Sequence, residues 1–315
     1  MAGNGELSGE VDCLRRIRLR DEQQHDATSL RSVLRPRETD RCAGVVSTLD
    51  HPAVQGGLAP LVAALMIAAI FARTRFAWLA ILAAYATMVA LSTGFSFSPL
   101  TVARKTILVG LIAPILGVVV DVVARGSKTL ATALAIAAGA VSIWIFMTIL
   151  KQRDTTAAIA IGGGVALFVA VLVGLMLRLR NDGLRVGAAG LGLGVATGIA
   201  GLLSASIGYL LAGVSIAAGA GALLLTQVLL SRKIAPGFTG TVTIGLLTAL
   251  FAVGSVLLAQ LPWYALPLLL LIPLGVTLRA PEQAPLVVRA AVLAAYALLA
   301  AALPILAAWF VPRGP

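Results

Sequence analysis

The sequence predicts an all-α polytopic transmembrane helix bundle of about 10 spans with no sizeable soluble domain, and three observations predict it. The chain is 59% hydrophobic and only 12% charged, whereas soluble domains carry about a quarter charged residues. Its mean hydropathy is +0.99. Its apolar residues come in unbroken stretches long enough for a helix to cross a bilayer, not in the apolar–polar alternation of a barrel strand. These properties exclude a soluble enzyme.

Residues 1–50 stand apart. They hold eight of the 24 basic residues, all arginine, and nine of the 13 acidic ones. Such a segment reads as a charged, disordered N-terminal extension, followed by a transmembrane domain over 51–315. Both cysteines, Cys13 and Cys42, lie in the extension, so the membrane domain has no thiol for a disulfide, a metal or a nucleophile.

The spans follow from the intervals between charges, measured against the roughly 20 residues that cross the hydrocarbon core. Residues 51–72, 76–103, 129–150, 155–177 and 290–312 each fit one span. A sixth, 106–120, fits if Asp121 lies at the interface and pairs with Arg125 one turn on. The runs 186–231 and 234–278 are each about twice the required length and read as hairpins. Their turns fall around Ser204, Ser206 and Gly208, and around Gln260, Pro262 and Trp263.

Orientation comes from the placement of Lys and Arg. With the first span starting outside, eleven cations face the cytoplasm: Arg73, Arg75, Arg125, Lys128, Arg178, Arg180, Arg185, Arg232, Lys233, Arg279 and Arg289. Five face outward. Phe95, Trp144, Trp263 and Trp309 then sit toward the outer interface, where aromatic rings are enriched. This orientation would carry the arginine-rich extension across the membrane without a signal-peptide apolar core. The expectation that resolves the conflict is a native start near Val45 or Val46, leaving a short tail of Ser47, Thr48, Leu49 and Asp50; the alternative is a disordered cytoplasmic tail with the first span entering from inside.

Small residues mark packing faces. Gly190, Gly194 and Gly198 recur at a spacing of four, and Gly213 and Gly221 continue the pattern on the next span. Helix backbones approach closely at such faces, so these two spans are expected to form a tight antiparallel pair. Gly162, Gly163 and Gly164 invite local unwinding, and Pro114, Pro267, Pro273 and Pro304 remove backbone donors at depth. Broken helices of this sort line solute sites in transporters; the plainer reading is kinks and packing notches.

The chemistry on offer is sparse. After residue 50 the only histidine is His51, which leaves haem ligation, histidine-based metal sites and serine–histidine catalysis unsupported. No metal, no cofactor and no enzyme activity are expected. Asp121 is the sole acid near the hydrocarbon core and is a candidate coupling carboxylate, although an interfacial ion pair with Arg125 is the simpler reading. Candidate solute-binding residues are Tyr85, Pro114, Gly163, Ser204, Thr226 and Gln227, each with the competing role of interhelical glue. The stretch Ser92 to Thr101, ahead of Arg104 and Lys105, could cradle an anion or simply cap a helix.

The resulting expectation is a multi-pass protein of a bacterial inner membrane, a small-solute permease or exporter for a neutral, amphipathic or anionic substrate. A cation would find little compensating charge. The alternative is a noncatalytic accessory or assembly subunit of a membrane complex; a lipid-modifying enzyme ranks third. Expected partners are the lipid bilayer, a small solute, and a membrane protein or a second copy of the chain, with no nucleic acid.

Overall fold

The computed structural model describes residues 51, 53–95, 101–123, 127–232, 234–259, 261–281 and 283–310, which contain helices and no strand. Residues 1–50 lie outside the described residues, and with them both cysteines and the Val45 or Val46 start; so do Arg125, Lys233, Gln260 and 96–100.

In chain order the helices are α1 (Ala59–Ile70), α2 (Leu79–Ser92), α3 (Val102–Val123), α4 (Lys128–Leu150), α5 (Thr155–Arg178), α6 (Gly183–Leu203), α7 (Ile207–Leu229), α8 (Gly237–Leu258), α9 (Ala265–Leu269), α10 (Leu271–Gly275) and α11 (Leu286–Trp309). A π-helical turn, Val54–Leu58, leads into α1, and a 3-10 turn, Arg75–Trp78, leads into α2. Seven helices, α3 to α8 and α11, are long and apolar enough to cross a membrane. Val54–Ile70, Phe76–Ser92 and Ala265–Gly275 are shorter apolar stretches.

The last of these shows why length falls short. At 1.5 Å per residue Ala265–Gly275 rises only about 16 Å, half of a hydrocarbon core. Pro273 has no N–H to offer the Leu269 carbonyl one turn back, and the helix divides at Leu270. The Leu270 N–H donates instead to the Pro267 carbonyl at 3.1 Å.

The glycine triplet behaves otherwise. Helix α5 runs unbroken through Gly162, Gly163 and Gly164, so the local unwinding that the triplet invites does not occur. Unwinding there would free N–H and C=O groups where no water can take them, a larger cost than the poor helix propensity of glycine. Pro114 is likewise contained within a continuous α3.

Burial is graded across the bundle. In the apolar window of each helix, 83% of α8 is buried, 72% of α6 and 61% of α7, against 28% of α3 and of α11. Helix α8 touches α2, α3, α4, α5, α6 and α7 and is the centre of the fold. The α6 and α7 backbones meet where glycine leaves room: a Cβ on Gly194 would lie 2.5 Å from the Ala217 nitrogen, and one on Gly213 would overlap the Gly198 backbone. Gly190 instead faces Ala220 and Ile244, while Gly221 has only Leu191, at 3.8 Å.

Polar links gather several helix ends at one end of the bundle. Asp182 caps α6, its carboxylate accepting from the Leu184 and Arg185 N–H groups at 3.1 and 3.3 Å. The Arg185 guanidinium donates to the Thr277 carbonyl at 3.2 Å, tying the start of α6 to the segment after α10. The Gly237 N–H donates to the Arg180 carbonyl at 3.2 Å, tying α8 to the end of α5.

Candidate functional site

The residues with chemistry to spare lie where α2 and α3 meet α8. Helix α3 presents one stripe to the interior, comprising Thr106, Gly110, Ala113, Pro114 and Gly117, at the three-to-four spacing that keeps residues on one helix face. Two of its glycines are required by close approach. A Cβ at Gly110 would come within 2.6 Å of both the Tyr85 ring and the Leu247 side chain, and one at Gly117 within 2.6 Å of the Thr239 Cα.

Asp121 ends this stripe and anchors it. Its Oδ1 accepts from the Phe238 N–H at 2.7 Å, and its Oδ2 accepts from the Thr239 N–H at 2.9 Å and the Thr239 hydroxyl at 2.6 Å. A carboxylate from α3 therefore caps the first turn of α8, where unpaired N–H groups and the helix dipole favour negative charge. Gly237 makes the approach feasible: its φ is +60°, and a Cβ there would lie 2.5 Å from Asp121 Oδ1. The Arg180 guanidinium stacks 5.0 Å from the Phe238 ring centroid in the same junction. Asp121 thus serves as a strut between two helices. The sequence pairing with Arg125 lies outside the described residues.

Above the strut are two buried donors. The Trp78 indole N–H and the Tyr85 hydroxyl are fully enclosed, and neither has a hydrogen-bond partner among the described residues. They are seven residues apart, about two helical turns, and so share one face of the α2 segment. Trp78 packs on Gly240 of α8, and the Tyr85 ring lies 6.0 Å from Phe251, which in turn lies 6.2 Å from Tyr209. A buried hydroxyl or N–H left unpaired costs about 1–3 kcal/mol, so this seam holds unmet hydrogen-bonding capacity inside an otherwise apolar packing.

Helix α8 also carries five buried hydroxyl residues, Thr239, Thr241, Thr243, Thr248 and Ser255; Thr239 meets Gly117 of α3, whereas Thr241 and Thr248 share the face of Gly245, which packs on Val173 and Met176 of α5. Thr241, Thr243, Thr248 and Ser255 turn their hydroxyls onto carbonyls of their own helix, at 2.6 to 2.9 Å for the shortest bond of each. Their oxygens keep lone pairs free to accept. These hydroxyls and Trp78 were not singled out in the sequence. The available signal was five hydroxyl residues in one chargeless span.

The other sequence candidates scatter. Tyr85 and Pro114 share the seam. Gly163 lies on the exposed side of α5, where an added Cβ would meet no described atom within 4 Å beyond its own helix backbone. Ser204 closes the α6–α7 turn, its hydroxyl donating to the Gly201 carbonyl at 2.9 Å. The Thr226 hydroxyl donates to the Ala222 carbonyl at 2.8 Å, and the residue borders a recess shared with Arg73 and Arg232. Gln227 is wholly buried glue: its amide donates to the Gly183 carbonyl at 3.4 Å and its oxygen accepts from the Ile234 N–H at 3.3 Å. Among the described residues no three His, Cys, Asp or Glu side chains come together as a metal site. No protein-family model, curated protein or solved structure matches this chain.

Proposed function

We propose that the protein is a small-solute permease or exporter of a bacterial inner membrane, and that its solute engages the seam between α2, α3 and α8. The observation that carries this reading is the pair of buried, unpartnered donors, Trp78 Nε1 and Tyr85 Oη. A group that gives up hydration and gains no partner is retained at a cost, and a passing ligand with acceptor oxygens would supply the missing bonds. The indole can only donate. That selects carbonyl, carboxylate or ether oxygens on a neutral, amphipathic or anionic solute, in keeping with the scarcity of acids at depth. Helix α3 is the natural moving part, because most of its apolar window lies outside the bundle while α8 is held on several sides.

The test is a thermal-shift screen of the detergent-purified protein against anionic, neutral and lipophilic solutes, repeated on Tyr85→Phe. The variant keeps the ring and removes the orphan hydroxyl, so the unliganded protein should be as stable or up to about 2 kcal/mol more stable. The concentration of effective solute needed for half the shift should rise about tenfold, equivalent to about 1.4 kcal/mol. An unchanged solute response in Tyr85→Phe would remove the seam from the binding site. No response to any solute class, together with a stoichiometric membrane partner in the preparation, would favour the accessory-subunit reading.

A further inference from the structure

Helices α4 and α5 run side by side but part at the end of the bundle where α8 begins. Lys128 is the first residue of α4 and Arg178 the last of α5, and between them lies a recess of about 610 Å³. Its rim also carries Arg180 and Asn181, and no acid borders it among the described residues. Deeper in, its walls turn apolar and small. Ala131 and Ala135 follow Lys128 by one and two turns, and Gly174 precedes Arg178 by one turn. A Cβ added to Gly174 would meet only the Ala135 Cβ, at 3.9 Å, so the slot is wide at that level. Thr132 and Val171, on either wall, are exposed, which leaves the slot open to the outside of the bundle.

Two chemistries are therefore stacked along one axis, cations at the rim and an apolar slot about two turns deep below them. A free anion would use the first and leave the second empty; an apolar helix would use the second and desolvate the cations. A phospholipid with an anionic head uses both, and basic pockets between transmembrane helices near a membrane surface suit such heads. We infer that this recess holds one anionic diacyl phospholipid, its phosphate against Lys128 and Arg178 and one acyl chain in the slot lined by Ala131, Ala135 and Gly174. Arg180 extends the occupied site toward the start of α8, since its carbonyl receives the Gly237 N–H and its guanidinium lies over Phe238.

Native mass spectrometry of the full chain in non-ionic detergent tests this, with dioleoyl phosphatidylglycerol or dioleoyl phosphatidylcholine added. The wild type should retain phosphatidylglycerol in preference to phosphatidylcholine. Lys128→Gln/Arg178→Gln should retain one phosphatidylglycerol fewer, whereas Lys151→Gln/Arg153→Gln, which removes the same charge at the opposite end of α4, should retain as many as the wild type. Gly174→Leu, which fills the slot and leaves every cation in place, should lose the same lipid. Soluble glycerophosphoglycerol should not displace it. Equal retention of both lipids, or undiminished phosphatidylglycerol on Lys128→Gln/Arg178→Gln, would overturn the inference. Displacement by the soluble head group at matching concentration would overturn it in favour of a free-anion site.

Discussion

Two pairs of adjacent helices, α6–α7 and α4–α5, solve the same packing problem in opposite ways. Both are antiparallel neighbours of similar length, yet 72% and 61% of the apolar windows of α6 and α7 are buried, against 39% for each of α4 and α5. The more buried pair is the one with more glycine and fewer large side chains. In lipid, where tails are as apolar as leucine, burial is won by close approach and dispersion contact, not by hydrophobicity. Where Gly194, Gly198 and Gly213 let backbones touch, the helices sink into the core; where α4 and α5 part at one end, a recess remains open.

The sharpest way to break this contrast is to add a side chain on each side of it. Gly213→Val would drive a branched side chain into the Gly198 backbone, which cannot yield as a flexible side chain can. The expected loss is about 3 kcal/mol or more, at the upper end for overpacking. In thermal denaturation followed by gel filtration, the variant should aggregate or melt far below the wild type. A native-like melting point would show that α6 and α7 do not approach as closely as their glycines imply.

A smaller effect is expected at the α3–α8 junction, which joins a peripheral helix to the most buried one. Asp121→Ala removes three hydrogen bonds from the first turn of α8, two from backbone N–H groups that the structure gives to this carboxylate. Loss of a helix cap that also crosses between helices is expected to cost about 2 kcal/mol. Asp121→Asn, which keeps acceptor oxygen on one side, should recover part of it. If Asp121 instead carried protons for transport, Asn would abolish uptake while leaving the melting point intact, so measuring both separates strut from relay.

The sequence made the helical class legible because hydrophobic runs and charge intervals report directly on what can face lipid. It also placed the α6–α7 turn, which Ser204 and Ser206 bracket, and a break after α8 near Pro262, but the second half of the 234–278 run forms two short helices and not a second full span. The site was less legible. Tyr85 and Pro114 could be named because polar or rigid residues stand out in an apolar span, but nothing local says which faces converge. That depends on Gly110 and Gly117, whose meaning appears only when Tyr85 and Thr239 are set against them. Asp121 was only partly legible for a related reason: its hydrogen-bond donors Phe238 and Thr239 are more than a hundred residues away, and Arg125, its nearest cation in sequence, lies outside the described residues.

The glycine triplet supplies the mildest and most discriminating perturbation. Gly163 and Gly164 look like Gly194 and Gly213 in sequence, but beyond their own helix backbone no described atom lies within 4 Å of where their Cβ would stand. Here alanine removes the entropic weakness of glycine without meeting anything, so Gly163→Ala should stabilise α5 by up to about 1 kcal/mol. A melting point raised by a few degrees, or left unchanged, agrees with a helix that is continuous and outward-facing. A clear loss of stability would mean that this face of α5 is covered, either by a partner helix or by a second copy of the chain, and the contrast between close-packed and open glycines would have to be redrawn around that contact.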